Sequence, residues 1–370
     1  MTGLPPYRGP DEPTDPLQAD PLQAETEVTA EQLSLGRRLR QPRTILSLAV
    51  PLVAIAVFAW LNRDQLARVP QLILEVNPAL VLAAFLVFYA GFPLRGLRWA
   101  LLVRGTGFHL SIRDASEIIF LSWLINCLVP AKLGDLYRAW LLKINSTVSL
   151  SRTFGTVFIE RILDLFAIVV LGLAAGFWSF RSGMSTQIQV IVGIGVGVVV
   201  LLGAGLLTMR NFGRRILTAL PIPHRILEYY DRFEEGVFGA VGLRRLPPLV
   251  VITGLIWATE AMRLYLVVQA LDFPGVTLGI SGAFFVALIG SLLTAVPLSP
   301  AGLGIVEAGV VGVLTAGYGV PLPEATAIAL VDRTISVFSI IALGGIAYAI
   351  SPKRRGAGLT HPSPEPSASG

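Results

Sequence analysis

Long apolar runs, separated by short polar stretches, occupy most of the chain between residues 44 and 350. An apolar run of about 17–25 residues is long enough to cross a bilayer as a helix. The chain has six runs that are long enough, at about 44–61, 79–103, 153–180, 188–209, 248–271 and 325–350. The pattern therefore predicts six transmembrane helices.

Two further apolar regions are interrupted near their centres by proline and glycine. Residues 115–144 break at "PAKLGD" and residues 278–318 break at "PLSPAGLG". Both residue types disfavour a continuous helix, so each region is predicted to be two helical arms around a turn. The predicted break residues are Pro130, Gly134, Pro300, Gly302 and Gly304. The predicted fold class is an all-α polytopic membrane protein with six full spans and two broken, re-entrant hairpin regions.

The basic residues predict how these regions enter the membrane, because Lys and Arg concentrate on the cytoplasmic side. If region 115–144 enters and leaves on the cytoplasmic side, every basic cluster lies there, including the seven arginines of loop 210–247. A single crossing of that region would place the same loop outside. We therefore expect the first hairpin to enter from the cytoplasm and the second, 278–318, to enter from outside.

The chain is predicted to hold one membrane domain between two tails. Residues 1–43 are rich in Pro, Asp, Glu and Gln, and residues 351–370 are rich in Pro and Ser. Such segments bury too little apolar surface to fold, so both tails are expected to be disordered and cytoplasmic. The membrane domain, 44–350, is expected to lie in the cell (plasma or inner) membrane.

Composition agrees with this picture and removes other classes. Hydrophobic residues make up 54% of the chain and charged residues 14%, and the mean hydropathy is +0.69, which is typical of a membrane protein. The single cysteine, Cys127, excludes an internal disulfide framework, and three histidines without ligand-like spacing predict no metal site. No cofactor and no nucleic-acid partner are expected.

The chain also contains an internal repeat. Three stretches recur in the same order at separations of 165, 170 and 172 residues: "RWALLVRGTGF" at 98 and "RLYLVVQALDF" at 263, "LVPAKLGDL" at 128 and "LSPAGLGIV" at 298, "ERILDLFAIVVLG" at 160 and "DRTISVFSIIALG" at 332. The halves, about 79–209 and 248–350, are joined by loop 210–247. Three crossings separate equivalent points, so the repeat is predicted to be inverted, as in many secondary transporters.

Ionisable side chains at membrane depth cost about 2.5–3.5 kcal/mol each on insertion scales, so they tend to be functional or paired. The residues predicted to bind substrate are Arg98, Lys132, Arg138, Arg161, Arg263 and Arg333. The predicted cavity carboxylates, which are also candidate proton carriers, are Asp135, Glu160, Asp164, Glu307 and Asp332. In the repeat, Lys132 and Asp135 align with Gly302 and Ile305, which favours a ligand role for the first pair over a role in the turn.

Simpler interpretations remain open for several of these charges. Arg95, Arg98 and Arg104 are alternatively interface anchors that reach the headgroups. The Glu160–Arg161 and Asp332–Arg333 pairs are alternatively ion pairs that only stabilise each half.

An ordered set of motifs resembles a known family. The motifs are "LRGLRWALL" at 94, "VPAKLGDLYRAWLL" at 129, "ERILDL" at 160, "PLSPAGLGIVEAG" at 297 and "VDRTISVF" at 331. They resemble the flippase-like membrane domain of lysylphosphatidylglycerol synthase, also called multiple peptide resistance factor, and its stand-alone relatives. The resemblance covers about 45–350 and implies a lipid-translocating helical module with hairpins. The family's aminoacyl-transferring soluble domain has no counterpart here, so synthesis of lysyl lipid is not expected.

The leading hypothesis is a lipid flippase in which two inverted halves alternately expose the charged cavity. Its substrate would be a membrane lipid, either an anionic or aminoacylated phospholipid or a prenyl-phosphate-linked lipid. The alternatives are a membrane-embedded lipid-modifying enzyme and an accessory subunit whose partner is a cell-envelope biosynthetic enzyme. No catalytic residues are predicted, because the sequence shows no clustered His, metal motif or nucleophile with an evident base.

Overall fold

The computed structural model describes residues 42–130, 132–146, 148–181, 183, 186, part of 189–208, 224–240, 244–294, 299–356 and 358–359. Every regular element among these residues is helical. The first seven numbered helices are α1 Pro42–Leu61, α2 Arg63–Leu66, α3 Val69–Leu74, α4 Pro78–Arg104, α5 Ile112–Leu128, α6 Leu133–Asn145 and α7 Leu150–Ser179. They are followed by α8 His224–Ala240, α9 Leu246–Leu271, α10 Ile280–Leu293, α11 Ile305–Tyr318, α12 Leu322–Arg333 and α13 Ser339–Ile350.

Five helical segments in the described part of the chain are long and apolar enough to cross a membrane. They are Thr44–Leu61, Pro78–Arg104, Leu246–Leu271, Pro300–Tyr318 and Leu322–Ile350. An all-helical, multi-pass membrane protein is thus confirmed.

Four of the five segments coincide with predicted spans, and the other contains the second arm of the second broken region. The predicted span at 153–180 is the 30-residue helix α7, which is not among the five. The predicted span at 188–209 lies partly outside the described residues. The count of six spans therefore stays a prediction.

Side chains just before several helices explain where those helices begin. The side-chain oxygens of Asn77, Ser111 and Ser149 accept hydrogen bonds from backbone N–H groups in the first turns of α4, α5 and α7. Such caps satisfy donors that have no partner inside the helix. The chain can therefore turn sharply into α4, α5 and α7 at these residues.

Helices α4 and α9 form the centre of the bundle and make the most extensive contact between any two helices described. Phe88, Trp99 and Ala261 on these helices are completely buried. Arg98 and Arg263 are buried on the same two helices, so the polar groups of the centre are enclosed by apolar packing.

The start of α5 and the end of α6, which we call the open ends of this helix pair, lie at the same end of the bundle. The Lys353 ammonium lies 2.8 Å from an Asp114 carboxylate oxygen at the start of α5. The Asn145 side chain, at the end of α6, donates a 2.7 Å hydrogen bond to the Lys353 carbonyl. Both ends of the pair are therefore held by one short segment of chain.

This segment, residues 351–356 and 358–359, differs from the disordered tail that the sequence predicts from residue 351 onward. Ser351, Lys353 and Leu359 are at most 8% exposed. Burial disfavours the Lys353 ammonium, but hydrogen bonds to Asp114 and Glu117 outweigh this and raise the pKa of Lys353. The segment is ordered because Asp114 is completely buried and needs a positive partner.

The start of α10 and the end of α11, the open ends of the second helix pair, lie beside the C-terminal end of α7. The Ser179 hydroxyl, at the end of α7, lies 3.2 Å from the Ser281 hydroxyl near the start of α10. It also accepts a 3.1 Å hydrogen bond from the Tyr318 hydroxyl at the end of α11. Since α7 begins five residues after α6 ends, the two helix pairs approach from opposite ends of α7.

The two arms of the first pair touch at Gly134. Its backbone N–H donates a 2.9 Å hydrogen bond to the Asn126 side chain on α5. A Cβ atom at this position would lie 2.0 Å from the Ser122 carbonyl oxygen. Only glycine therefore allows the arms to approach this closely.

Replacing Gly134 with alanine is expected to destabilise the protein by about 1–3 kcal/mol or more. The added methyl group meets a backbone oxygen, so the arms must separate. The measurement is the thermal unfolding midpoint in detergent. Gly312→Ala on α11 is the matched control, because a Cβ there meets nothing within 4 Å. Equal midpoints for the two variants would contradict the close approach.

Candidate functional site

A cavity of about 200 Å³ lies where the two helix pairs meet. Its wall includes Val129 and Lys132 from the first chain break, and Ser299, Ala301 and Gly302 from the second. The remaining wall comes from α4, α5, α7, α9, α10, α11, α12 and the π-helical turn that follows α12. Both breaks thus contribute to one site.

Most of the charged residues predicted from the sequence lie in this wall. The lining members are Arg98, Lys132, Glu160, Arg161, Asp164, Arg263, Asp332 and Arg333. The other three, Asp135, Arg138 and Glu307, each pair with a lining residue. The fold therefore brings all eleven predicted charges into one connected region.

The first ionic group surrounds Arg98. The Arg98 guanidinium donates hydrogen bonds of 2.5 and 3.2 Å to the two oxygens of Asp164, and it lies 3.2 Å from Glu160. Arg138 approaches the same Glu160 carboxylate at 3.2 Å. Burial makes these charge-assisted contacts stronger than surface ion pairs.

Arg161 connects this group to the second arm of the first helix pair. Its guanidinium donates hydrogen bonds of 2.9 and 2.8 Å to both oxygens of Asp135, in the first turn of α6. A third hydrogen bond, of 3.2 Å, goes to Asp164. The carboxylate of Asp135 is therefore engaged in holding α6 against α7.

The second ionic group surrounds Arg263 and Arg333. Arg263 donates hydrogen bonds of 2.7 and 3.1 Å to Asp332 and also pairs with Glu260. Arg333 donates a 2.6 Å hydrogen bond to Glu307 and a 2.8 Å hydrogen bond to the Ala301 carbonyl in the second break. Arg333 therefore connects α12 to both the turn and the first residues of α11.

Glu307 uses both of its oxygens within the protein. One accepts the hydrogen bond from Arg333, and the other accepts a 2.6 Å hydrogen bond from the Gly304 backbone N–H at the start of α11. An acidic group at a helix N-terminus is stabilised by the helix dipole. These contacts account for a charge within the otherwise uncharged arm.

Arg95 and Glu260 belong to the site but are not among the residues predicted from the sequence. They line the cavity, pair with each other, and are 5% and 6% exposed. The Arg95 guanidinium also lies 4.6 Å from the Trp123 ring centre. The interpretation of Arg95 as an interface anchor is therefore wrong. The sequence does contain a signal for this pair. Arg95 and Glu260 are 165 residues apart, which is also the separation of Arg98 and Arg263 in the repeat.

Lys132 differs from the other cations of the site. It lines the cavity, but its side chain makes no hydrogen bond or ion pair with any residue that the structure describes. The carboxylates of Asp135 and Asp164 act on it electrostatically, yet both already pair with arginines. Its backbone is left-handed, with φ 51° and ψ 37°, a conformation that costs a non-glycine residue about 1–3 kcal/mol.

The arginines of the site also have hydrogen-bond donors to spare. Arg95 Nη1, Arg98 Nε and two nitrogens of Arg138 are buried without an acceptor among the described residues. A buried donor left unpaired costs about 1–3 kcal/mol. Arg95 and Arg98 line the cavity beside Lys132, and such a group of positive charges suits an anionic ligand.

Residues 45–344 match the family described as the lysylphosphatidylglycerol synthase TM region. The chain belongs to this family. The resemblance found in its motifs is therefore confirmed. The cavity, the two breaks and all the ionic pairs around them fall inside the matched residues.

Relatives of this family member include stand-alone archaeal membrane proteins. It is 37% identical over 228 residues to a UPF0104 membrane protein of Methanocaldococcus jannaschii, which covers 61% of this chain and 93% of that protein. It is 27% identical over 314 residues to a UPF0104 membrane protein of Methanothermobacter thermautotrophicus, covering 80% and 89%. It is also 26% identical over 355 residues to the glycosyltransferase AglD of Haloferax volcanii, covering 86% of this chain and 56% of that protein.

Proposed function

We propose that this protein is a lipid flippase that moves a lipid with a phosphate-containing headgroup between the leaflets of the cell membrane. The substrate is an anionic or aminoacylated phospholipid or a prenyl-phosphate-linked lipid. The observation that carries the proposal is the cavity, where two chain breaks meet a set of buried arginines with unpaired donors. Broken backbone at membrane depth is tolerated where it lines a polar cavity.

Many secondary transporters that use alternating access are built from two halves of inverted topology, and contacts between α4 and α9 support such halves. A residue on a two-fold axis contacts its own counterpart, and every other contact occurs twice. Arg95 and Glu260 are separated by the 165-residue offset and contact each other.

Off this axis, the same offset relates two further contacts to each other. Arg98 donates a 3.1 Å hydrogen bond to Thr253, and the Arg263 guanidinium lies 5.1 Å from the Phe88 ring centre. The offset carries Arg98 to Arg263 and Phe88 to Thr253. A pseudo-two-fold axis that passes between α4 and α9 would produce this pairing.

The ion pairs at the two hairpins also correspond. Arg161 pairs with Asp135 and Arg333 pairs with Glu307, each time over 26 residues of chain. By this comparison Glu307, rather than Ile305, is the counterpart of Asp135. Each half thus holds the second arm of its hairpin through one arginine and one carboxylate.

These two pairs are suited to control access from opposite sides. We place both termini and the open ends of α5–α6 in the cytoplasm, and the open ends of α10–α11 outside. Loss of the Arg161–Asp135 pair would then loosen the cytoplasmic hairpin, and loss of the Arg333–Glu307 pair would loosen the outer one. Transport would follow from breaking them in turn.

The glycosyltransferase relative favours a second candidate, action on a lipid-linked sugar together with or as an enzyme. The hydroxyl groups of Ser291, Thr294, Ser299 and Ser336 line the cavity and could hydrogen-bond a sugar. Among the described residues, however, no nucleophile with a base stands apart from the ion pairs. The proposed activity is therefore transport without a chemical change in the lipid.

Reconstitution into liposomes tests the proposal. Fluorescent phosphatidylglycerol, lysyl-phosphatidylglycerol and a prenyl-phosphate sugar are each incorporated, and their transfer between leaflets is measured by quenching from outside. We expect at least one lipid to cross about tenfold faster than in protein-free liposomes, and Arg263→Gln to lose most of this rate, because charge-assisted hydrogen bonds contribute about 1.5–3 kcal/mol each.

The test also needs a control variant and a measurement of the mass of the recovered lipid. Arg63→Gln alters an exposed arginine outside the cavity and should keep the wild-type rate. Transfer of no lipid above the protein-free rate would refute a flippase. Recovery of a lipid with altered mass would support the enzyme candidate instead.

A further inference from the structure

We infer that the cavity is matched to a headgroup with one net negative charge, a phosphodiester, and that Lys132 sets this match. The inference rests on the proposed function and narrows its substrate class. A phosphodiester occurs both in glycerophospholipids and in prenyl lipids joined to a sugar through one phosphate.

Among the residues that the structure describes, the charges of the site leave an excess of one positive charge. The basic members are Arg95, Arg98, Lys132, Arg138, Arg161, Arg263 and Arg333, and the acidic members are Asp135, Glu160, Asp164, Glu260, Glu307 and Asp332. Each acidic member pairs with an arginine and each arginine pairs with an acidic member. The excess charge therefore belongs to Lys132.

The count holds for charges as well as for residues. Arginine keeps its proton in proteins, and a carboxylate that accepts hydrogen bonds from arginine stays ionised. The residues of the two breaks outside the described part of the chain, Ala131 and 295–298, have no ionisable side chains. They leave the balance unchanged.

A net charge at membrane depth is unfavourable, because the surroundings screen it weakly. A singly negative headgroup cancels the excess charge of the cavity. A phosphomonoester carries about −1.5 to −2 at pH 7 and would leave a negative excess. A zwitterionic headgroup would leave the positive charge in place, and an aminoacylated cationic headgroup would add a second one.

The position of Lys132 suits this role. Its ammonium is a compact charge on a flexible stem, so it can follow a phosphate that moves. It stands immediately before the first turn of α6, in the break that lines the cavity. Asparagine or glycine would adopt the left-handed backbone at this residue more readily, so the turn itself does not account for a lysine here.

Lipid binding to the purified full-length protein tests the inference. Native mass spectrometry compares phosphatidylglycerol, phosphatidic acid, phosphatidylcholine and lysyl-phosphatidylglycerol with identical acyl chains, and a prenyl-phosphate sugar is measured in parallel. We expect the wild type to bind phosphatidylglycerol at least about tenfold more tightly than the three other phospholipids. Whichever of phosphatidylglycerol and the prenyl-phosphate sugar binds more tightly identifies the class of lipid that supplies the phosphodiester.

Two substitutions at residue 132 separate charge from folding. Lys132→Asn removes the charge while accepting the left-handed backbone, and it should shift the preference to phosphatidylcholine. Lys132→Arg keeps the charge and should keep the wild-type order. Lys143→Asn removes a lysine from the other end of α6, outside the cavity wall, and should also keep that order.

The outcomes distinguish the inference from the proposed function. Absence of binding to every lipid would overturn both. Binding with the same headgroup order in Lys132→Asn and Lys132→Arg would overturn the inference alone, as would equal binding of phosphatidic acid and phosphatidylglycerol by the wild type.

Discussion

Replacing Glu260 with leucine is expected to lower the free energy of unfolding by about 3–5 kcal/mol, the usual cost of removing one partner from a buried ion pair. Glu260 is the carboxylate that pairs with Arg95, and both side chains are less than 10% exposed. Without Glu260, Arg95 would be a buried charge with no ion-pair partner among the described residues, packed against the rings of Phe92 and Trp123. The measurement is denaturant or thermal unfolding of the purified protein in detergent.

The double variant Arg95→Leu/Glu260→Leu should recover most of the lost stability. Replacement of a complete buried ion pair by apolar side chains is often neutral, and Arg263 keeps its contacts with Asp332. The double variant also restores the net charge of the site. Asp64→Ala breaks an exposed pair with Arg63 and should change stability by no more than about 1 kcal/mol. A double variant as unstable as Glu260→Leu would exclude the Arg95–Glu260 pair as the cause.

The Arg95–Glu260 contact shows what sequence pattern leaves undetermined. The repeat aligned Arg98 with Arg263 and identified most of the charged residues of the cavity. Helical spacing predicts which residues share a face of one helix, but it does not predict which two helices pack together. Because α4 and α9 pack against each other, Arg95 and Glu260 come into contact although 165 residues separate them.

The register of the two hairpins shows a second limit. The nine-residue alignment matches Asp135 with Ile305, whereas the correspondence of ion pairs proposed above matches Asp135 with Glu307. Among the described residues, the first break has one positive φ, at Lys132, and the second has three, at Ala301, Gly302 and Gly304. The second turn therefore follows a different backbone path, which a gap-free alignment cannot represent.

The segment that follows α13 shows a third limit. Composition predicts disorder from residue 351 onward, but Lys353 lies between two acidic side chains of α5. A single buried acidic group elsewhere in the chain can order a polar segment, and composition does not detect such a partner. The predictions were therefore most reliable for apolar spans and least reliable for contacts between distant segments.

Arg161→Gln and Arg333→Gln are expected to change access to the cavity by about tenfold or more in opposite directions. Each variant loses charge-assisted hydrogen bonds that contribute about 1.5–3 kcal/mol, enough to shift a two-state equilibrium by that factor. Cys127 is the single cysteine of the chain and lines the cavity, so the native thiol reports the access. The measurement is its reaction with a membrane-impermeant maleimide added outside right-side-out vesicles.

Under the proposed orientation, Arg333→Gln opens the outer hairpin and should accelerate the reaction, whereas Arg161→Gln should slow it. Both variants remove one positive charge from the cavity wall. Arg333 also acts electrostatically on the Cys127 thiol, so loss of its charge by itself should slow the thiol reaction and oppose the acceleration expected from opening. Cys127→Ser gives the background, and Arg63→Gln should react like the wild type. Labelling that changes in the same direction in both variants would contradict alternating access, because two pairs on opposite sides of one cavity must then act as a single structural unit.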